Sequence, residues 1–430
     1  MKKQLLTTTA LVAAGVLTVS GAALADKPKL TVGGSTEQIF GVGNNSDSFD
    51  AASGFNRTGF DQHSDGEVHF NGSVTLDNGI KIRTRVELEG NSDNTAVAGT
   101  TANGINGAPA AGNTDYIDEH WMRISGSFGE VRLGSGDPAG MAMTTGYLGT
   151  WSTNVSLNMA FDSNDWVSKP GTVGPGGMMV NRVDLSSDAE HVSYFTPRFS
   201  GFQLGASYIP SAQEDVNNQR ASTTVLDSEG WSMGINYVGK FGGVGVGIAA
   251  GYATMNESAG AAGNTVGIDD PEVWGIAGRF DFGGFRVSAS WVDKNDQSAT
   301  VGGVGVAGGG AGQEALEVGA RYTFGPNAVS IAHMSVENDS QLLTANGDES
   351  RSTFISYRRT LGPGVSWHAV AIFAEHDNQG RTHDPCQDRS LRQRQCNGWK
   401  GEGFKCQKRV VPSQKTTRTE PAQIDRKNQY

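Results

Sequence analysis

Cysteine is absent from residues 26–380, and all three cysteines of the chain, Cys386, Cys396 and Cys406, lie near its C-terminal end. A secreted protein of this length often carries disulfides, so this long stretch must fold without them. Proline is scarce, at 13 of 430 residues, while glycine is abundant at 60, and this combination does not indicate disorder. Charged residues make up 18% of the chain and the net charge is −11, which argues against nucleic acid as a partner.

Motifs for catalysis and metal binding are missing as well. No metal-ligand spacing exists among the histidines, which include His63, His69, His120, His191, His333 and His368. The cysteines fit no Cys-x₂-Cys pattern, and no Gly-x-Ser-x-Gly elbow or Walker-type loop occurs. The sequence therefore predicts no enzyme, no cofactor and no metal site. Acidic loops leave Ca²⁺ binding open beside the plainer alternative of solvated carboxylates.

The first 25 residues have the features of a secretory signal peptide. Two lysines supply the positive start, residues 5–24 are apolar or small, and Ala23-Leu24-Ala25 fits the small-x-small cleavage rule. Cleavage is expected between Ala25 and Asp26. The alternative is a membrane-spanning anchor helix, which the small residues and threonines of this stretch disfavour. After residue 25 the sequence has no run of about 18 apolar residues, so no other spanning helix is predicted.

Apolar and polar residues alternate over most of the chain from 28 to 376, which is the period of a strand whose two faces differ. In the clearest stretch, residues 80–89, one face carries apolar side chains such as Ile82 and the other carries charged ones such as Arg83. A soluble sandwich would bury the apolar face, whereas a membrane barrel would turn it to lipid and the charged face to a wet lumen. Alternation alone leaves both architectures open. Helical spacing is hard to find after residue 25.

The number and spacing of the strands favour the barrel. Fifteen candidate strands pair as hairpins and span residues 29–43, 63–76, 80–90, 115–126, 129–136, 189–197, 201–210, 230–240, 243–255, 271–282, 284–294, 314–325, 327–337, 351–361 and 364–376. Short turns such as Asn78-Gly79 close one end of the hairpins, and long polar stretches such as 91–114 and 137–188 close the other. This asymmetry is typical of outer-membrane barrels, and such long loops are unusual in a compact soluble domain.

Aromatic residues gather beside the short turns. In a barrel they would form the aromatic girdle at one membrane interface, and in a soluble protein they would cap the end of a buried core. We expect the girdle, and its candidate members are Phe128, Phe199, Phe202, Tyr208, Phe241, Phe280, Phe282, Phe285, Tyr322 and Phe324.

Three segments resemble the Gram-negative trimeric porin family of alpha- and betaproteobacteria. Residues 127–134, SFGEVRLG, resemble the strand before that family's inward-folded third loop. Residues 191–202, HVSYFTPRFSGF, followed by residues 204–208, LGASY, resemble its Tyr-x-Thr/Ser-Pro-x-Phe-x-Gly-Phe hairpin. Residues 317–322, EVGARY, resemble a later strand. The resemblance runs from the signal peptide to about residue 377. It implies an all-β fold, a transmembrane antiparallel β-barrel of the sixteen-stranded porin type, with a homotrimer and a pore narrowed by the third loop.

The resemblance also implies a function in the outer membrane. The chain would form a water-filled channel for passive diffusion of small hydrophilic solutes and ions, surrounded by outer-membrane lipid and lipopolysaccharide. One alternative is a substrate-specific channel with an aromatic slide, for which Trp121, Trp151 and Trp166 are candidates. Another is a non-conducting structural or adhesin barrel. The length of the third loop favours a channel, because a purely structural barrel needs no internal constriction.

Charged residues of the third loop and of the barrel wall are the candidate pore residues. The acidic candidates on the loop, which the resemblance places inside the barrel, are Asp137, Asp162, Asp165, Asp184 and Asp188. The basic candidates on the wall, each on the polar phase of its strand, are Lys81, Arg83, Arg85, Arg123, Arg132, Arg279 and Arg321. Opposed charges across a narrow wet gap would create a field that sorts solutes by charge and dipole. The alternative for each residue is a solvated surface charge or a simple ion pair.

The tail, residues 381–430, breaks the pattern of the predicted barrel domain, residues 26–380. It carries twelve Lys or Arg against five Asp or Glu, whereas the first 380 residues carry 22 against 40. Alternation stops after Phe373, although a closed barrel of this type needs an even number of strands and the family resemblance implies a last amphipathic strand ending in Phe. We therefore expect that a reading-frame shift near Gly380 replaced the sixteenth strand. The alternative is a genuine basic periplasmic extension that binds peptidoglycan or another partner.

Overall fold

The computed structural model describes residues 27–44, 46, 59–90, 117–155, 182–186, 188–212, 227–256, 270–295, 299–301, 304–306, 311–340 and 346–377. All of these belong to the unit Met1–Arg381; the remaining unit, Thr382–Tyr430, lies outside the described residues. The predicted signal peptide with its cleavage site at Ala25 and Asp26 also lies outside them, as do Asp162, Asp165 and the three cysteines.

Antiparallel strands make up most of the described chain. Fifteen of them form one sheet in chain order, and they are β1 (Lys29–Val42), β2 (Phe60–Thr75), β3 (Lys81–Glu89), β4 (Ile117–Gly126), β5 (Gly129–Gly134), β6 (His191–Phe195), β7 (Phe202–Ser211), β8 (Ser228–Phe241), β9 (Val244–Asn256), β10 (Glu272–Phe282), β11 (Phe285–Asn295), β14 (Ala311–Phe324), β15 (Asn327–Ser340), β16 (Asn346–Gly362) and β17 (Val365–Asp377). A separate hairpin consists of β12 (Ala299–Val301) and β13 (Val304–Val306). The fifteen predicted strands are therefore confirmed, with ends that differ by a few residues.

The segment between β5 and β6 departs from the prediction, which gave no helix after residue 25. It contains α1 (Ala139–Thr144) and α2 (Gly149–Thr153), joined through a 3-10 turn at Thr145–Tyr147. Each helix spans at most six residues, which is too short for the 3.6-residue period to appear in a sequence. The hairpin β12–β13 was likewise missed, because it falls within a glycine-rich stretch that reads as loop. No helix in the described ranges is long and apolar enough to cross a membrane.

The two faces of the sheet are chemically opposite, as β8 shows. Trp231, Met233 and Ile235 point to one side and are exposed, whereas Ser232 and Asn236 point to the other and are buried. We call the buried side the inner face, because α1 and α2 pack against it. Large apolar side chains are thus exposed while small polar ones are buried, which is the reverse of a soluble sandwich and the arrangement expected for a barrel in lipid.

Aromatic residues beside the short turns stack on one another on the outer face. Phe285 lies 5.8 Å from Phe282 and 4.4 Å from Tyr322, whose ring is in turn 5.6 Å from Phe324, measured between ring centroids. This exposed row follows the turns of adjacent hairpins, as the predicted girdle requires. Tyr208 is an exception, because it packs against Trp231 at 5.2 Å towards the other end of its strand. It was grouped with the girdle wrongly.

Candidate functional site

The helical segment of residues 139–153 lies flat on the inner face of the sheet. α1 packs on β7, β8 and β9, and α2 packs on β11, β14 and β15. Small residues at the contacts allow this close approach: a Cβ atom added to Gly140 would lie 2.7 Å from Ser232 Oγ, and one added to Gly234 would lie 2.5 Å from Met143 Cβ. Neither distance is compatible with a larger side chain unless the helix moves away from the sheet.

Hydroxyl groups of the sheet bind the first backbone amides of α1. Ala139 N donates to Ser207 Oγ at 2.7 Å, and Gly140 N donates to Ser232 Oγ at 2.8 Å. The first N–H groups of a helix have no acceptor within the helix, so the serines of the inner face supply the missing partners. The sequence predicts that the polar residues of these strands line a water-filled space. At this position they bind a helix instead.

Apolar contacts complete the docking. Leu148 and Val183 are fully buried in a cluster with Val273, Ala277 and Val292 of the inner face. The segment is therefore fixed by packing as well as by hydrogen bonds, and residues 182–186 lie on the same face as residues 139–153.

A row of arginines crosses β3, β4 and β5 beside this segment. Arg83 and Arg123 are directly opposite on neighbouring strands, and Arg123 is directly opposite Arg132. The Arg123 guanidinium lies 3.8 Å from the centre of the Trp121 ring, and Arg132 Nε donates to Glu130 Oε1 at 2.6 Å. Like charges directly opposite one another destabilise a sheet, so a row of three indicates a role other than stability.

Two other predicted basic residues flank this row. Arg85 forms an ion pair with Glu87 and donates to Asn71 Oδ1 at 3.0 Å, so much of its charge is compensated within the wall. Lys81 is exposed near the short-turn end of β3. Along β3 the inner face therefore changes from basic near the short turn to acidic near the long loop, because Glu87 and Glu89 follow Arg85 at alternate positions.

A second group of arginines lies on β10, β11 and β14, and two of its members contact the helical segment directly. Arg279 Nη1 donates to Gly146 O at 2.8 Å, and Arg286 Nη1 donates to Ser152 O at 3.2 Å. Arg286 is directly opposite Arg321 on the neighbouring strand, and its Nε binds Asp281 Oδ1 at 2.5 Å. Arg279 and Arg321 were predicted; Arg286 was missed, although it occupies the same polar phase of its strand.

The described acidic residues of the long loop 137–188 lie near the two ends of that loop. Carboxylate oxygens of Asp137, Asp188 and Glu119 of β4 all lie within 4.8 Å of one another, and Asp184 Oδ1 accepts from Ser186 N at 3.0 Å. Burial and neighbouring carboxylates raise the pKa of Asp137 to about 6 and that of Asp188 to about 9. We call Asp137, Asp188 and Glu119 the acidic trio. Glu119 was not predicted, and only the register of β4 brings it to these two loop residues.

Comparison with known proteins supports one family. The model of the Gram-negative porin family matches residues 7–380. An anion-selective porin from Comamonas acidovorans is similar in structure, with 15% sequence identity and a TM-score of 0.51 over 83% of this chain and 93% of that chain. The outer membrane channel DcaP of Acinetobacter baumannii is similar at 13% identity, with a TM-score of 0.46 over 83% and 93% of the two chains. No curated protein sequence matches the chain.

Proposed function

Because the chain belongs to the Gram-negative porin family, we propose that residues 139–153 form the constriction of its channel and that the inner-face arginines are its charge filter. The protein is an outer-membrane β-barrel that forms a water-filled channel for small hydrophilic solutes. The observation that carries the proposal is the docking of α1 and α2 on the inner face, since a segment inside a barrel must narrow it.

Both arginine groups lie beside the constriction. Arg279 and Arg286 bind carbonyl oxygens of the constriction itself, and the Arg132 guanidinium lies 4.2 Å from the ring of Phe195, which packs on α1. Positive charge on both sides of a narrow passage favours anions. The acidic trio lies nearer the long loops, on the side that faces outwards in such barrels. Solutes entering from outside therefore meet negative charge first and positive charge at the constriction.

The size of the largest sugar that passes through the channel tests the proposed constriction. Replacing residues 139–153 with a short glycine-serine link is expected to admit larger sugars, because the lumen is then limited by the wall alone. Swelling of liposomes in a series of mono- to tetrasaccharides measures the limit. Deletion of residues 299–306, which contain the hairpin β12–β13, serves as the control and should leave the limit unchanged. An unchanged limit after removal of residues 139–153 would show that they do not narrow the channel.

The acidic trio gives the channel a pH dependence. A carboxyl group with a raised pKa is neutral below that pKa and negative above it, so Asp137 gains charge around pH 6 and Asp188 around pH 9. Cation permeability relative to anion permeability should therefore rise between pH 5 and pH 10. Reversal potentials in a salt gradient measure the rise, and D137N/D188N should flatten it while D77N, in a short turn, should not. An equal rise in D137N/D188N would assign the effect to other groups.

Assembly and processing complete the proposal. The chain acts as a homotrimer in contact with outer-membrane lipid and lipopolysaccharide, and its partners in transport are small hydrophilic solutes. The exposed apolar outer face, for example Leu30, Val32 and Phe70, supports contact with lipid or a second subunit. The porin family is a family of channels, and we propose no catalytic activity. Residues 1–25 are removed as a signal peptide, and residues 381–430 stand in place of the final strand after a frameshift.

A further inference from the structure

The second helix of the constriction rests on a buried carboxyl group. Glu317 of β14 points to the inner face and is 1% exposed. α2 comes so close to this strand that a Cβ atom added to Gly149 would lie 2.7 Å from Glu317 Cβ. Burying a carboxyl group away from water is costly unless it is hydrogen-bonded, so its partners explain why it is tolerated here.

Glu317 is bound by the first turn of α2 and by the neighbouring strand. Thr150 donates twice, from its backbone N to Oε2 at 2.8 Å and from its Oγ1 to Oε1 at 2.9 Å. Ser290 Oγ lies 3.3 Å from Oε2 and also accepts from Gly149 N at 2.8 Å. Both oxygens of the carboxyl group are thus used, and two of the amides at the start of α2 are satisfied by the wall.

The two helices of the constriction are held by different chemistry. The first amides of α1 bind the neutral hydroxyls of Ser207 and Ser232, whereas α2 binds a carboxyl group through both an amide and a hydroxyl. Glu317 therefore joins the wall to α2 through two hydrogen bonds, one on each carboxyl oxygen, whereas Ser207 and Ser232 each join the wall to α1 through one.

We propose that Glu317 is a positioning residue that holds α2 against the wall and thereby fixes the width of the channel. The inference rests on the proposed function, because it concerns the same constriction. Arg286 binds Ser152 O at the other end of α2, so the position of this helix also decides where one of the filter arginines lies. Loss of the Glu317 contacts should therefore change the single-channel conductance and also the fraction of time that the channel spends at its main conductance level.

Single-channel recordings of E317Q and T150A test this role. Loss of these hydrogen bonds should raise the fraction of time spent away from the main conductance level about tenfold or more. T150S retains the hydroxyl and should behave as the wild type. E314Q is the matched control, because Glu314 lies on the same strand but is exposed on the outer face. T150A leaves the buried carboxyl group in place and keeps the test available if E317Q folds poorly.

Coupling between the two residues separates positioning from general stability. The double variant E317Q/T150A should be little noisier than E317Q alone, since T150A removes only the Oγ1 contact of a carboxyl group that E317Q has already altered. Wild-type levels and noise in E317Q and T150A would overturn the proposal, as would an equal effect of E314Q. A wild-type protein that does not conduct would overturn the proposed function and this inference together. A conducting wild type with unaltered variants would overturn this inference alone.

Discussion

Replacement of Arg83, Arg123 and Arg132 by glutamine is expected to raise the cation-to-anion permeability ratio about tenfold. A unit charge about 8 Å from an ion in water contributes about 0.5 kcal/mol, which salt at about 0.1 M roughly halves. Three charges therefore change the energies of a cation and an anion by about 0.7 kcal/mol each in opposite directions, which together correspond to about a factor of ten in the permeability ratio. These residues form one cross-strand row on the inner face. The reversal potential in a salt gradient reports the ratio, and the effect should shrink as ionic strength rises.

Arginines of the outer phase supply the matched control. Arg351 and Arg359 lie on β16 with Ile355, on the face that carries the exposed apolar side chains. R351Q/R359Q should leave the reversal potential unchanged, whereas R83Q/R123Q should already shift it. Equal reversal potentials for the wild type and the triple variant would place the row away from the path of ions.

Restoring an amphipathic last strand is expected to produce the largest gain in assembly. The sheet runs from β1 to β17. Within the described residues, β1 pairs with β2 alone and β17 pairs with β16 alone. An unpaired strand edge in hydrocarbon leaves backbone groups unsatisfied at several kcal/mol each. A strand formed by residues 397–411 would carry lysine and arginine on both phases, and each such charge costs about 2–4 kcal/mol near the bilayer centre.

The comparison uses the full chain, residues 1–430, and a variant whose residues 381–430 are replaced by an alternating strand ending in Phe. The variant should give far more heat-modifiable trimer in outer-membrane fractions, and the unaltered chain should be degraded or retained in the periplasm. A scrambled tail of the same composition controls for length and charge. Equal trimer yields from the two chains would contradict the frameshift proposal and favour a genuine extension.

The strands could be predicted because the environment on their two faces differs at every position. Alternation fixes which residues share a face, so Arg83, Arg123, Arg132, Arg279 and Arg321 could each be assigned to the polar face of its strand, while their role in the pore stays a prediction. The alternation of short turns and long loops predicted that consecutive strands pair as hairpins, and the strands of the sheet do follow one another in chain order. Local sequence is sufficient for such features because each strand of the fifteen-stranded sheet pairs with the next strand of that sheet along the chain.

Contacts between the constriction and the wall could not be predicted in this way. Glu317 and Thr150 are 167 residues apart, and Glu119 approaches Asp137 and Asp188 only through the register of β4. The sequence did not predict that Asp137 and Asp188 lie beside a wall carboxylate, Glu119. Glu317 occupies the polar phase of its strand like a lumen residue, and its local sequence gives no sign that a helix covers it.

Conductance across a planar bilayer tests the central claim most directly. Purified protein, refolded with a completed last strand, should insert in discrete steps whose size grows with salt concentration, as a water-filled channel requires. The most frequent step should be uniform in the wild type, because the constriction is fixed to the wall. Leak noise without discrete steps, from protein that is folded and trimeric, would contradict the channel.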